Sequence, residues 1–140
     1  MNRKTLADET ATLALGADLA GSLGDDLVFL RGDLGTGKTT LVRGILRKLG
    51  FSGPVKSPTY TLLEPYEIGA RRIYHFDFYR IEHPGELSYV GIDELMAESA
   101  LRLVEWPERA FERLPEPDVE VKLFMNRQGR SVEIVDHRPR

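Results

Sequence analysis

Gly32-Asp33-Leu34-Gly35-Thr36-Gly37-Lys38-Thr39 is a complete G-x-x-x-x-G-K-T run, and its chemistry is the capture of polyphosphate. Glycines at these positions let the backbone curl until successive N–H groups converge. The positive end of the following helix dipole adds to those donors. In such a cradle Asp33, Gly35, Thr36 and Gly37 form the wall, and Lys38 supplies a mobile positive charge at the β and γ phosphates. The Thr39 hydroxyl can bind magnesium, and Thr40 can donate to the α phosphate.

A magnesium ion held by Thr39 needs an acidic group on its other side, usually at the end of an apolar strand beside the loop. Two positions qualify: Ile73-Tyr74-His75-Phe76 delivers Asp77, and Leu101-Arg102-Leu103-Val104 delivers Glu105. With one ion and one attacking water to organise, the two carboxylates can divide the work as metal ligand and water-orienting base. The sequence leaves open which does which. The catalytic candidates are therefore Lys38, Asp77 and Glu105, and the metal candidates Thr39, Asp77 and Glu105.

Ser57-Pro58-Thr59-Tyr60-Thr61 falls where nucleotide switches place a γ-phosphate sensor, a role open to Thr59 or Thr61, although such residues also make ordinary turns. Trp106 follows Glu105 and precedes a proline, which puts it at the mouth of the same site. His75 alternates with Phe76 along a strand and reads as a packed or bonded histidine rather than a catalyst. Arg130, after the Gly129 turn, can swing back toward a nucleotide or remain an exposed hairpin arginine.

These groups need a scaffold. Leu27-Val28-Phe29-Leu30 is continuously apolar, as in a central strand covered on both faces, and it feeds the glycine loop. From Lys38, the spacing of Leu41, Val42, Ile45, Leu46 and Leu49 predicts a helix that Gly50 closes. Thr5 to Leu23 reads as an amphipathic helix with Thr5 and Asp8 near its cap. Tyr60 to Tyr66 and Arg72 to Tyr79 read as an antiparallel pair, with Pro65 marking an edge strand. His83 to Gly91 reads as loop, Ile92 to Ala97 as a short helix, Ala100 to Val104 as a strand, and Pro107 opens a helix running to Leu114. Val119, Val121 and Leu123, then Val132 and Ile134, alternate with polar residues and predict a C-terminal hairpin with one wet face.

The chain has 140 residues, 41% of them hydrophobic and 29% charged, which is the composition of one globular domain. Nineteen Lys and Arg against 22 Asp and Glu leave a net charge of −3, which argues against a dedicated nucleic-acid binder. Without cysteine there is no disulfide framework, so a cytoplasmic setting is expected. The first residues run into Asp8 and Glu9 without an apolar core, and neither a signal peptide nor a membrane span is expected. The expected fold is a three-layer α/β P-loop NTPase domain spanning 1–140, its mixed sheet having a parallel core and antiparallel additions.

Four blocks occur in order: the run from Gly32 to Thr40, Ser57-Pro58-Thr59-Tyr60-Thr61, His75-Phe76-Asp77-Phe78-Tyr79-Arg80, and Val104-Glu105-Trp106-Pro107. Together they resemble the bacterial TsaE family, also called YjeE. The resemblance implies an ATPase of the pathway that makes threonylcarbamoyladenosine in tRNA, acting with TsaB and TsaD after TsaC has made the threonylcarbamoyl adenylate. It implies that hydrolysis resets the TsaB–TsaD assembly for repeated turnover, and that tRNA is met only through that assembly. By position it gives Lys38 and Thr39 phosphate and magnesium roles, Asp77 and Glu105 the metal-site acids, and Trp106 a place beside the second acid. It also implies nucleotide contacts around Glu9, Thr10 and Arg130. Thr36 departs slightly from the family, standing where alanine is frequent.

A small P-loop kinase acting on a metabolite is the alternative, but no insertion carries the arginine-bearing lid such enzymes use to exclude water. A GTPase would need an Asn-Lys-x-Asp motif that this sequence lacks. An RNA module would rest on Arg71-Arg72 and the aromatic strand Tyr74 to Tyr79, a weaker case at net −3.

Overall fold

The computed structural model describes residues 3–127 and 129–139. Its regular elements in chain order are β1 (Arg3–Leu6), α1 (Glu9–Ala20), β2 (Leu27–Arg31), α2 (Lys38–Leu49), β3 (Leu63–Ile68), β4 (Arg71–Asp77), α3 (Ile92–Ala97), β5 (Leu101–Glu105), β6 (Val119–Asn126) and β7 (Gly129–Asp136). Short 3-10 helices cover Pro84–Val90, Pro107–Arg109 and Phe111–Arg113.

Because Leu27 to Leu30 are apolar on both faces, β2 takes the middle of the sheet, whose order is β1-β7-β6-β2-β5-β4-β3. Strands β6, β2, β5 and β4 run parallel, and β1, β7 and β3 are attached antiparallel. The fold is thus the expected α/β arrangement with a parallel core and antiparallel additions, and Pro65 lies on the edge strand β3. Alternation along the strands splits the core. Val28, Leu30, Ile73, Leu101 and Leu103 pack under α1 and α2, whereas Phe29, Phe76, Phe78 and Val104 pack against Leu87, Ile92, Met96 and Ala110 on the other face.

Helices α1 and α2 touch through backbone. A methyl group at Gly16 would sit 2.5 Å from the Leu41 carbonyl oxygen, and one at Gly44 would sit 2.4 Å from that of Leu13. Glycine at both positions lets the pair close and fixes where α2, and so its N-terminus, lies over the sheet. Among the described residues, no helix is long and apolar enough to cross a membrane.

Four sequence expectations are corrected. The helix predicted from Thr5 begins at Glu9, because Asp8 has extended backbone and caps it through Oδ1, which accepts from the Ala11 N–H at 2.8 Å. Arg3–Leu6 is instead a strand, with Leu6 opposite Arg130 of β7. The helix predicted from Pro107 to Leu114 is two 3-10 helices, broken where Ala110 turns to φ −149°, ψ 30° and is buried. Finally β3 begins at Leu63 rather than Tyr60, since the Leu62 N–H closes a turn onto the Pro58 carbonyl at 2.7 Å and Leu62 has φ 67°. The stretch read as loop from His83 holds the Pro84–Val90 3-10 helix, whose first turn Glu86 caps.

Candidate functional site

The carboxyl ends of β2, β4 and β5 open into a cleft of about 440 Å³ whose floor is the glycine loop and the first turn of α2. Gly37 caps that helix at φ 103°, a left-handed conformation that glycine adopts without strain. The buried Thr36 hydroxyl donates to the Asp33 carbonyl at 2.8 Å, so this threonine closes the loop on itself. Asp33, expected at the nucleotide, does not itself line the cleft; its carbonyl accepts from Thr36 and Lys38.

Lys38 is buried and folded back. Its ammonium donates to the carbonyl oxygens of Gly32 and Asp33, the latter at 3.0 Å, and lies 4.3 Å from the centre of the Trp106 ring. Burial holds its pKa below the ordinary lysine value, while Glu105 and then Asp77 pull it back upward. Trp106 reaches this place from left-handed backbone, φ 57° and ψ 47°, and is tilted against Tyr79 at 4.9 Å between ring centres. It stands at the cleft mouth, half-buried, as expected.

The two acids end adjacent parallel strands in register, Asp77 beside Glu105. Glu105 accepts from the Thr39 hydroxyl, 3.0 Å to Oε2 and 3.3 Å to Oε1, and its Oε2 is also 2.6 Å from His75 Nε2. Asp77 Oδ2 accepts from Ser57 Oγ at 2.5 Å and Thr59 Oγ1 at 3.2 Å, and Oδ1 accepts from the Tyr79 N–H at 2.9 Å. The site therefore divides into a Glu105–Thr39 half and an Asp77–Ser57–Thr59 half.

Most expected residues converge. Gly35, Thr36, Gly37, Lys38, Thr39 and Thr40 line the cleft with Ser57, Thr59, Asp77, Glu105 and Trp106. Glu9 and Arg130 line it from α1 and β7, and a methyl group on Gly37 would lie 3.6 Å from Arg130 Nη1. Others do not converge. Thr10 is exposed on α1, and Thr61 is exposed within the turn from Pro58 to Leu62. Tyr60 is 81% exposed and stacks under the Arg80 guanidinium, 4.3 Å from its ring centre. None of these three lines the cleft. Leu34 and Tyr79 line it without having been singled out, and the His75–Glu105 contact was read only as a bonded histidine. The signal for that contact lay in the strand period, which puts His75 on the same face as Asp77.

The donor set suits magnesium. Thr39, Asp77 and Glu105 offer hard oxygens, and among the described residues no group of three or more His, Cys, Asp or Glu could cage a metal alone. Magnesium at nucleotide sites asks for only one or two carboxylates, with water and phosphate completing its shell.

Comparison with known proteins gives the family and the fold. The family model described as "Threonylcarbamoyl adenosine biosynthesis protein TsaE" matches residues 6–132. A Haemophilus influenzae protein named "tRNA threonylcarbamoyladenosine biosynthesis protein TsaE" is 46% identical over 109 residues, covering 78% of this chain and 69% of that one. A Bacillus subtilis protein of the same name is 38% identical over 96 residues, covering 69% of this chain and 60% of that one. The crystal structure of Bacillus subtilis YdiB superposes with a TM-score of 0.82 at 26% identity, covering 98% of this chain and 86% of that one.

Proposed function

The chain belongs to the TsaE family, and from that membership we propose that it binds and slowly hydrolyses Mg–ATP as the ATPase subunit of tRNA threonylcarbamoyladenosine biosynthesis, acting with TsaB and TsaD in the cytoplasm. The observation that supports this most is the Thr39–Glu105 hydrogen bond at 3.0 Å, which joins the helix end of a phosphate loop to an acid on a neighbouring strand. A glycine turn serving only to connect β2 and α2 has no use for that contact.

The residues divide the work as follows. Loop N–H groups and the α2 dipole hold the phosphate tail, and Thr40 donates to the α phosphate. Lys38, released from the carbonyls of Gly32 and Asp33, moves its charge onto the terminal phosphates. Thr39 with Asp77 or Glu105 would hold magnesium, which would supply neutralisation of the phosphate charge. Of the two acids, Glu105 is assigned to water, because its Oε2 is held from below by the buried His75, whereas the Ser57 and Thr59 hydroxyls on Asp77 lie in the cleft and can change partners, which leaves Asp77 for the metal side. Ser57 and Thr59, now on Asp77, are the hydroxyls placed to respond when that carboxylate changes partners.

Hydrolysis by the isolated chain should be slow: an arginine finger is worth roughly 10³ to 10⁵ in rate, and among the described residues the one arginine that lines the cleft is Arg130, which sits beside Gly37 of the loop. Phosphate release should rise when TsaB and TsaD are added together, and an unchanged rate would contradict the partner role. With labelled γ-phosphate the label should emerge as inorganic phosphate, whereas a labelled metabolite would favour a kinase.

A further inference from the structure

The geometry points to His75 as a positioning residue for hydrolysis: by holding Oε2 of Glu105 it keeps that carboxylate turned toward Thr39 and the phosphate end of the cleft. This rests on the hydrolytic role proposed for Glu105 and adds the group that aims it.

His75 sits on β4 on the face that packs beneath α1 and α2. On that face Ile73 lies two residues before it and Leu103 beside it on β5, both apolar, with Asp77 two residues after it and Glu64 opposite it on β3. Filling the space beside Ile73 and Leu103 would require only an apolar residue. Instead a fully buried imidazole lies 2.6 Å from Glu105 Oε2, with Thr39 Oγ1 3.0 Å from the same oxygen. A carboxylate oxygen accepts, so the ring donates from Nε2. The other nitrogen agrees: Nδ1 is buried without a hydrogen-bond partner among the described residues, where a lone pair is tolerable and an N–H would be a stranded donor.

Glu105 needs such a hold. Its carboxylate sits at the end of three rotatable bonds, and a positioned base must stay within roughly 0.5 Å of its working place. Thr39 cannot be the only restraint, because its hydroxyl is the one expected to turn to the metal when nucleotide binds. His75 lies beneath the floor, does not line the cleft, and can keep its contact throughout.

The test compares His75→Leu, which keeps apolar volume without the donor, with His75→Gln, which restores an N–H of similar reach. Mg–ATP hydrolysis and binding are measured on the full chain with and without TsaB–TsaD. Expected for His75→Leu is a loss of kcat on the order of tenfold to a hundredfold, as for other supporting groups, with binding little changed and substantial recovery in His75→Gln. Wild-type kcat in His75→Leu, or equal loss in Leu and Gln variants of unchanged melting temperature, would overturn the proposal. Should His75→Leu not fold, His75→Asn, too short to reach, takes its place against His75→Gln under the same criteria. Imidazole nitrogen NMR of the nucleotide-free protein gives a second readout: the proton is expected on Nε2, and a proton on Nδ1 instead would overturn the contact. If the unaltered chain hydrolyses no Mg–ATP even with its partners, the hydrolytic reading fails and the positioning role with it. That result differs from an active wild type indifferent to His75.

Discussion

The ammonium of Lys38 lies 4.3 Å from the centre of the Trp106 ring, the chain's only tryptophan. A cation over an indole is held by the ring quadrupole, by about 0.5 to 2 kcal/mol depending on desolvation. Phosphate competes for the same charge. Mg–ATP should therefore draw Lys38 away and change the tryptophan emission, while adenosine, which has no phosphate, should leave it unaltered. A spectrum indifferent to Mg–ATP at concentrations where it binds would show that Lys38 stays parked.

Glu105→Gln should separate chemistry from binding. The amide can still accept from Thr39 but is a far weaker base, so hydrolysis should fall about 10² to 10⁴-fold. Binding of Mg–ATP should change by less than about threefold, under 1 kcal/mol. If Asp77→Asn gives that pattern and Glu105→Gln loses binding, the two acids have the opposite roles.

Arg130→Ala tests whether β7 contributes to the nucleotide site. Arg130 lines the cleft beside Gly37, and removing one charge-assisted contact should weaken Mg–ATP binding by roughly 1.5 to 3 kcal/mol, tenfold or more. An affinity unchanged at low salt would leave it a hairpin arginine.

Gly44→Ala should destabilise the fold although alanine is the better helix former. The added methyl would meet the Leu13 carbonyl oxygen at 2.4 Å, and separating two packed helices costs about 1 to 3 kcal/mol. Chemical denaturation measures it, and a neutral or stabilising result would mean that α1 moves aside freely.

What the sequence disclosed followed the range of the interactions. The central strand from Leu27, the helix from Lys38 to its Gly50 cap and the Pro65 edge strand were legible because each rests on residues close in the chain. Asp8 was legible as a cap, yet the helix was started too early. Leu6 fits a helical stripe, and only pairing with β7 more than a hundred residues later makes it a strand. The helix expected after Pro107 failed for a related reason: burial of Ala110 against the far core face overrides local propensity.

The site followed the same rule. Both acids were found because each ends an apolar strand, but their adjacency in register required knowing that β4 and β5 pair in parallel. Thr61 and Tyr60 were drawn in by their motif, and the tight turn from Pro58 to Leu62 carries them out to solvent. Ser57 and Thr59 remain on the Asp77 side of that turn.

The central claim is that the loop from Gly32 to Thr40 clasps the phosphate tail of Mg–ATP. Isothermal calorimetry of the purified chain tests it directly, with Lys38→Ala as the control. A saturable heat with Mg–ATP that is greatly diminished in the variant is predicted, whereas no heat from the unaltered protein, or equal binding by both, would contradict the account.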